Sequence, residues 1–218
     1  MRISINQPTF LPWMGYFRMI EKSDVFVLLD DVQFSRSRSW QYRTKLPCGF
    51  LTLPVEKHAY RKLIKDVELK FAPTGHIELL EREYQPSMYL DWLKKIISLD
   101  IRNLARFNCE LIQGTCEWLD LPAPEVLASQ LSIPGENPTD RLVKICEYFG
   151  ATTYLSPIGS KAYLDTEQFN QAGIEVEWNI VPGQEGINEY SCVDHILTKK
   201  ETPKGLTSEA SSGLSDKG

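Results

Sequence analysis

Apolar and polar positions change period several times along the chain, and each change marks an element. Residues 2–5 form a short apolar run that reads as a strand, ended by Asn6, Pro8 and Pro12. Gly15 to Lys22 (GYFRMIEK) has the spacing of a short helix. Asp24 to Asp30 (DVFVLLD) is a continuous apolar run closed by acids, the signature of a strand buried on both faces. Strand, Pro-rich turn, helix and strand within 30 residues is a minimal βαβ unit. Residues 31–48 read as a polar loop carrying aromatics. Phe50 to Val55 reads as a strand, with Pro54 placing it at an edge or an end. Ile64 to Leu69 reads as a further short strand. From Ile77 to about Leu121 apolar residues recur at helical spacing, with breaks at Pro86 and at Ser98–Asp100. This stretch is expected to be a helical insertion.

After it, V-L-A-S-Q-L (126–131) reads as a strand. Asn137-Pro138-Thr139-Asp140 supplies capping chemistry for a helix through Phe149, with Gly150 as its stop. Thr152 to Ser156 is a strand, residues 157–161 a turn, and Thr166 to Ala172 a helix stopped by Gly173. Ile174 to Val181 alternates like a half-exposed edge strand. Residues 192–198 suit a short last helix. From Glu201 on, the chain is small, polar and poor in apolar residues, as expected of a flexible tail over 201–218. The pattern predicts an α/β protein: a mostly parallel sheet with helices on both faces and a helical insertion in the middle. Residues 1–200 are expected to form a single α/β domain, with the insertion at about 77–121.

Composition narrows the class. A chain of 218 residues can bury one good core. No apolar run approaches the length of about 18 residues needed to span a bilayer. The apolar stretch after Arg2 is too short for a secretory signal, so a cytoplasmic location is expected. Five cysteines, Cys48, Cys109, Cys116, Cys146 and Cys192, give an odd count without C-x-x-C spacing. Free, core-packed thiols fit better than a disulfide framework. His58, His76 and His195 have no ligand-spaced companions, so no metal site is expected. The sequence names no cofactor. A net charge of −5 argues against a general nucleic-acid binder.

The ligand site of an open α/β sheet lies beyond the carboxyl ends of its strands. That rule selects three segments: 6–16, 30–45 and 156–163. In the first, a strand delivers Asn6 and Gln7 to a turn stiffened by two prolines, ahead of a helix N-terminus that can face an anion. The alternative is a structural turn with Trp13 and Phe17 in the core. In the second, Asp30 and Asp31 follow a strand and point to opposite sides. One suits a base and the other a cap; the equal alternative is that both simply end a strand. The acid-free stretch 33–46 then carries Arg36, Arg38, Arg43 and Lys45 beside Trp40 and Tyr42. Guanidinium forks suit phosphate or carboxylate, and the aromatics suit a base or sugar ring. A solvated basic loop is the plainer reading. In the third segment, Gly159-Ser160-Lys161 is a small loop able to hold an oxyanion, without the upstream glycine of a Walker motif. No nucleophilic triad is visible. Cys48 in a Pro-Cys-Gly turn and His195 beside Asp194 are the remaining candidates for chemistry.

The opening I-S-I-N-Q-P-T-F-L-P-W-M-G-Y-F, then D-V-F-V-L-L-D-D-V-Q-F, W-Q-Y-R-T-K, L-T-L-P-V, T-D-R-L, Y-L-S and Y-S-C-V-D run in order from residue 1 to about 197. Together they resemble the WbqC-like family, a bacterial family encoded among genes for O-antigen and other surface polysaccharides. The resemblance implies an accessory enzyme on sugars or sugar nucleotides, with some members associated with amino-acyl decoration of amino sugars. It places Gln7, Pro8, Tyr16, Asp30, Asp31, Trp40, Arg43, Ser156, Tyr163 and Asp194 on family-motif positions. Pro157 stands where a glycine is more usual.

On this basis the chain is expected to be a transferase forming an amide on a nucleotide-linked amino sugar. Asp30 or Asp31 would serve as base or orienter, and Gln7 and Tyr16 would bond the sugar or developing oxyanion. Arg36, Arg38, Trp40, Arg43, Lys45, Ser156, Lys161 and Tyr163 would bind substrate. The partners implied are a sugar nucleotide or amino sugar and an acyl donor, coenzyme A or a carrier-protein thioester. A nucleotidylyltransferase-like enzyme is the first alternative, although Trp13-Met14-Gly15-Tyr16 lacks both histidines of the H-x-G-H turn. A non-catalytic partner in a biosynthetic complex is the second.

Overall fold

A computed structural model describes residues 1–35, 39–180 and 190–198. Five strands make the main sheet: β1 (Arg2–Asn6), β2 (Val25–Leu28), β5 (Val126–Leu127), β6 (Thr153–Pro157) and β7 (Glu175–Asn179). Their order is β5-β2-β1-β6-β7, and every pairing is parallel. Ile3 pairs with Val25 and Asn6 with Leu28, so β1 and β2 end level with each other.

Alternation along the strands gives the sheet two apolar faces. Phe26, Leu28 and Leu155 pack on one face against α1 (Met14–Lys22). Ile3, Ile5, Val27 and Tyr154 pack on the other, against α6 (Pro138–Tyr148) and α7 (Thr166–Gln171). There the Tyr154 and Phe169 rings stack at 4.9 Å, a contact worth roughly 0.5–1.5 kcal/mol beyond its buried area.

Between β2 and β5 lies the insertion. It contains an antiparallel hairpin, β3 (Arg43–Leu46) and β4 (Gly49–Thr52), and the helices α2 (Gly75–Glu83), α3 (Met88–Ser98) and α4 (Leu104–Trp118). The helix breaks fall at Pro86 and around Ser98–Asp100, where the sequence predicts them. Leu93, Phe107 and Leu111 join α3 and α4 to the α1 side of the core. α8 (Cys192–Thr198) closes against α3 and seals this cluster with Cys192 and Val193.

Three local expectations change. The strand expected at 50–55 belongs to the separate hairpin, not to the main sheet. Ile64–Asp66 is a single 3-10 turn rather than a strand. The run V-L-A-S-Q-L pairs only through Val126 and Leu127, then coils into α5 (Ala128–Leu131). The physical reason is Asp30, whose carboxylate accepts hydrogen bonds from the Ser129 N–H at 2.9 Å and its hydroxyl at 2.7 Å. A buried acceptor at that point caps a helix start and ends the strand. The tail at 201–218 lies outside the described residues.

Candidate active site at the carboxyl end of the sheet

The chain leaves β1 through α1 to reach β2 on one side, and later returns through α6 to reach β6 on the other. The loops after β1 and β6 therefore diverge, opening a crevice at the topological switch point. A cavity of about 620 Å³ lies there. Ile5, Leu29, Leu142, Tyr154 and Leu164 give it an apolar lining, and Asn6, Gln7, Gln33, Asn137, Arg141, Ser160 and Tyr163 add polar groups. A mainly apolar cavity with a few placed polar groups is the usual form of a small-molecule site.

The turn after β1 is rigid for identifiable reasons. Leu11 sits at φ 43°, a conformation rare for a branched side chain. Its carbonyl accepts from the hydroxyls of Thr44 (2.8 Å) and Ser191 (2.9 Å), which hold the turn in place. Asn6 Oδ1 accepts from the Gln7 N–H at 3.0 Å. The Gln7 carbonyl accepts from the Tyr16 hydroxyl at 3.0 Å, and its side-chain Oε1 accepts from Gln41 Nε2 at 2.8 Å. Gln41 is itself buried, and its Oε1 accepts from the Ser35 N–H at 2.8 Å. Asn108, buried in α4, donates to the carbonyls of Pro8 and Gln41. Gln7 is thus fixed from three directions.

On the opposite rim, Asn137 caps α6 by accepting from the Asp140 N–H at 2.9 Å, and Pro138 takes the first helical position. One turn on, Arg141 lines the cavity. Its Nε donates to the Ile133 carbonyl at 3.0 Å, and its Nη2 donates to both Asp31 oxygens at 2.7 and 2.8 Å. The two side chains are only 18% and 16% exposed. Close packing at Gly135 completes this corner. A Cβ there would lie 2.4–2.7 Å from the Cβ, Cα and N of Arg141, so only glycine fits.

The expected site residues fall into distinct places. Gln7 and Tyr163 line the cavity. Asp31 borders it through Arg141. Asp30, 3% exposed, is engaged by Ser129 and does not line the cavity. Tyr16 is wholly buried, and burial pushes its phenol well above the ordinary value. It is a neutral donor that acts on Gln7 from behind. Ser156 is buried at 2.6 Å from the hydroxyl of Ser160, which lines the cavity and donates onward to the Pro157 carbonyl. Lys161 is exposed and outside the lining.

Trp40, Arg43 and Lys45 also lie outside the lining. The Arg43 guanidinium sits 4.4 Å from the Phe50 ring centroid and 5.8 Å from that of Trp40, while Lys45 Nζ lies 5.2 Å from the Tyr190 ring. Arg36 and Arg38 lie outside the described residues. Cys48 is exposed at the hairpin turn, and Asp194, next to His195, accepts from the Tyr84 hydroxyl at 2.9 Å. Among the described residues no three His, Cys, Asp or Glu side chains gather as a metal site. No helix among them is long and apolar enough to cross a membrane.

Sequence reasoning missed Arg141, Gln41 and Asn108. Arg141 lies within T-D-R-L, one position past the capping sequence, so a helix start at the switch point was its signal. Asn108 had a signal too: a polar residue on the apolar face defined by Leu104, Phe107 and Leu111.

The profile of the WbqC-like protein family matches residues 7–195. The uncharacterized protein Rv1507c of Mycobacterium tuberculosis is 26% identical over 189 residues, covering 81% of each chain. No solved structure matches.

Proposed function

The chain belongs to the WbqC-like protein family, and on that footing we propose that it is a transferase of surface-polysaccharide assembly. In this reading it forms an amide on a nucleotide-linked amino sugar. The observation that carries the proposal is the cavity at the β1/β6 switch point, whose volume and mixed lining suit a sugar. The sugar amine attacks the acyl carbon of a thioester, from coenzyme A or a carrier protein. A C–N bond forms, the C–S bond breaks, and the amine proton passes to the departing thiolate.

Gln7 bonds the sugar or the developing oxyanion, where a fixed donor is most effective. Tyr16 is a positioning residue that acts through the Gln7 carbonyl. Asp31 orients Arg141. In this reading the basic stretch holds the diphosphate; support comes from Gln33, just before it, which lines the cavity, and from Gln41, which bonds cavity-lining Gln7. Arg36, Arg38, Arg43 and Lys45 are its cations, and Trp40 its ring platform.

A thermal-shift screen tests the reading, with sugar nucleotides, nucleoside triphosphates plus Mg²⁺, and coenzyme A thioesters. A ligand at about 100 times its dissociation constant adds roughly 2.7 kcal/mol, a readily seen shift. The proposal expects a shift with amino-sugar nucleotides. A shift with triphosphates alone would replace it with nucleotidylyl transfer. No shift, together with a stable protein partner, would replace it with a non-catalytic role.

A further inference from the structure

We infer that the cavity contains an oxyanion subsite formed by Arg141, Gln7 and Asn6, which takes a phosphoryl or carboxylate group of the ligand. The inference rests on the reading of this cavity as the substrate site. It comes from the orientation of two carboxamides, each fixed by a backbone donor. Asn6 Oδ1 accepts from the Gln7 N–H, so the other end of that side chain is the NH₂ group. That Nδ2 is buried and has no hydrogen-bond partner among the described residues, a costly state for a donor unless a ligand satisfies it. Gln41 Oε1 accepts from the Ser35 N–H, so its Nε2 is the end that meets Gln7. Gln7 must then offer Oε1 to Gln41, which leaves its own Nε2 for the cavity.

Arg141 adds the charge. Its Nε and Nη2 are engaged by Ile133 and Asp31, while its Nη1 makes no hydrogen bond among the described residues. A guanidinium held on two sides presents its third nitrogen without further loss of rotamer freedom. Asp31 offsets the charge of Arg141 without occupying that nitrogen. The start of α6, through Gly135, Asn137 and Pro138, forms the adjoining wall, and the positive end of a helix favours an anion. Glu136 also lines the cavity and is exposed at the rim. Three N–H donors, one of them cationic, select a ligand group that is an acceptor only.

Calorimetric titration of the full chain with inorganic pyrophosphate and with succinate tests the subsite. The variants are Gln7→Glu, which keeps the oxygen that accepts from Gln41, and Arg141→Lys, which keeps the charge opposite Asp31. The expected result is binding of at least one probe by the wild type, weakened at least about tenfold in both variants, as the loss of charge-assisted bonds requires. Pyrophosphate binding assigns the subsite to a phosphoryl group, and succinate binding to a carboxylate. Thermal melts show that each variant is folded. Backbone-assigned NMR of the wild type gives a mutation-free reading, because the Asn6 and Gln7 NH₂ signals should move when the probe is added. Failure of both probes to bind at millimolar concentration would overturn the inference, as would binding that is unchanged in both variants. A sugar-nucleotide shift that survives that outcome would leave the cavity reading intact and remove only the subsite.

Discussion

Replacing Asp31 with Asn should destabilise the protein substantially and weaken ligand binding as well as turnover. The Asp31 carboxylate takes two bonds from Arg141 Nη2 at 2.7 and 2.8 Å, in a corner where both side chains are less than a fifth exposed. Removing one partner of a fully buried pair costs about 3–5 kcal/mol, because the other charge is left uncompensated. The residual exposure here and the remaining bond from Arg141 to the Ile133 carbonyl lower that to about 2–3 kcal/mol. For a chain of this size each kcal/mol moves the melting point by about 2–4 °C, so a fall of roughly 4–12 °C is expected. Urea denaturation read by tryptophan fluorescence measures the loss directly. Combining Asp31→Asn with Arg141→Met should cost no more than the single change, since no buried charge is then stranded. A single variant within about 0.5 kcal/mol of wild type, the range of ordinary surface changes, would refute the pair's structural role. If Asp31 were a catalytic base alone, turnover would fall while KM stayed put. The orienting role predicts that KM rises too.

Three further outcomes follow from the same structure. Burial pushes the thiols of Cys109, Cys116, Cys146 and Cys192 up to about 12, while Cys48 is exposed. A thiol-disulfide reagent at pH 8 should therefore label Cys48 rapidly and the other four only on unfolding; a second fast equivalent would contradict this. Burial lowers the His76 pKa below its ordinary 6.5, and its neutral ring donates from Nε2 to the Thr52 carbonyl. The unfolded chain then binds the extra proton first, so stability is full above about pH 6.5 and falls as the pH drops toward the lowered value. Urea midpoints at pH 7 and pH 5 should differ less in His76→Gln than in wild type. Finally, Gly135→Ala should push the Arg141 backbone away, because a Cβ has no room there. It should lower the melting point and weaken anion binding together, whereas a neutral effect on both would show that this corner yields.

Elements whose period and punctuation agree were legible in the sequence. The apolar run at 24–30 reads as a parallel strand because β2 is covered on both faces, and Asn137 with Gly150 brackets α6 because caps act locally. Residues 43–46 were not legible, since R-T-K-L alternates charge with apolar character inside a basic stretch. Only pairing with Gly49–Thr52 across a tight turn makes it a strand. The helix at 128–131 depends on Asp30, which is 99 residues away from Ser129, and no local window contains that information.

The site divides in the same way. Strand-end logic places Gln7 and Tyr163 at the cavity. It also selects Asp30 and Tyr16, whose burial assigns them to supporting contacts. Residue type shows what chemistry is available, but only packing shows which atoms remain free for a ligand. Arg141 is the converse case: a helix residue of ordinary appearance that acquires its place from Asp31, Ile133 and Gly135.

The most direct test of the ligand site at the β1/β6 switch point is a crystal structure of the full chain with the sugar nucleotide that gives the largest thermal shift. The account predicts ligand density in the cavity, with an anionic or carbonyl group against Asn6, Gln7 and Arg141. Density confined to the hairpin around Trp40, Arg43 and Phe50, with the cavity free of ligand, would contradict it.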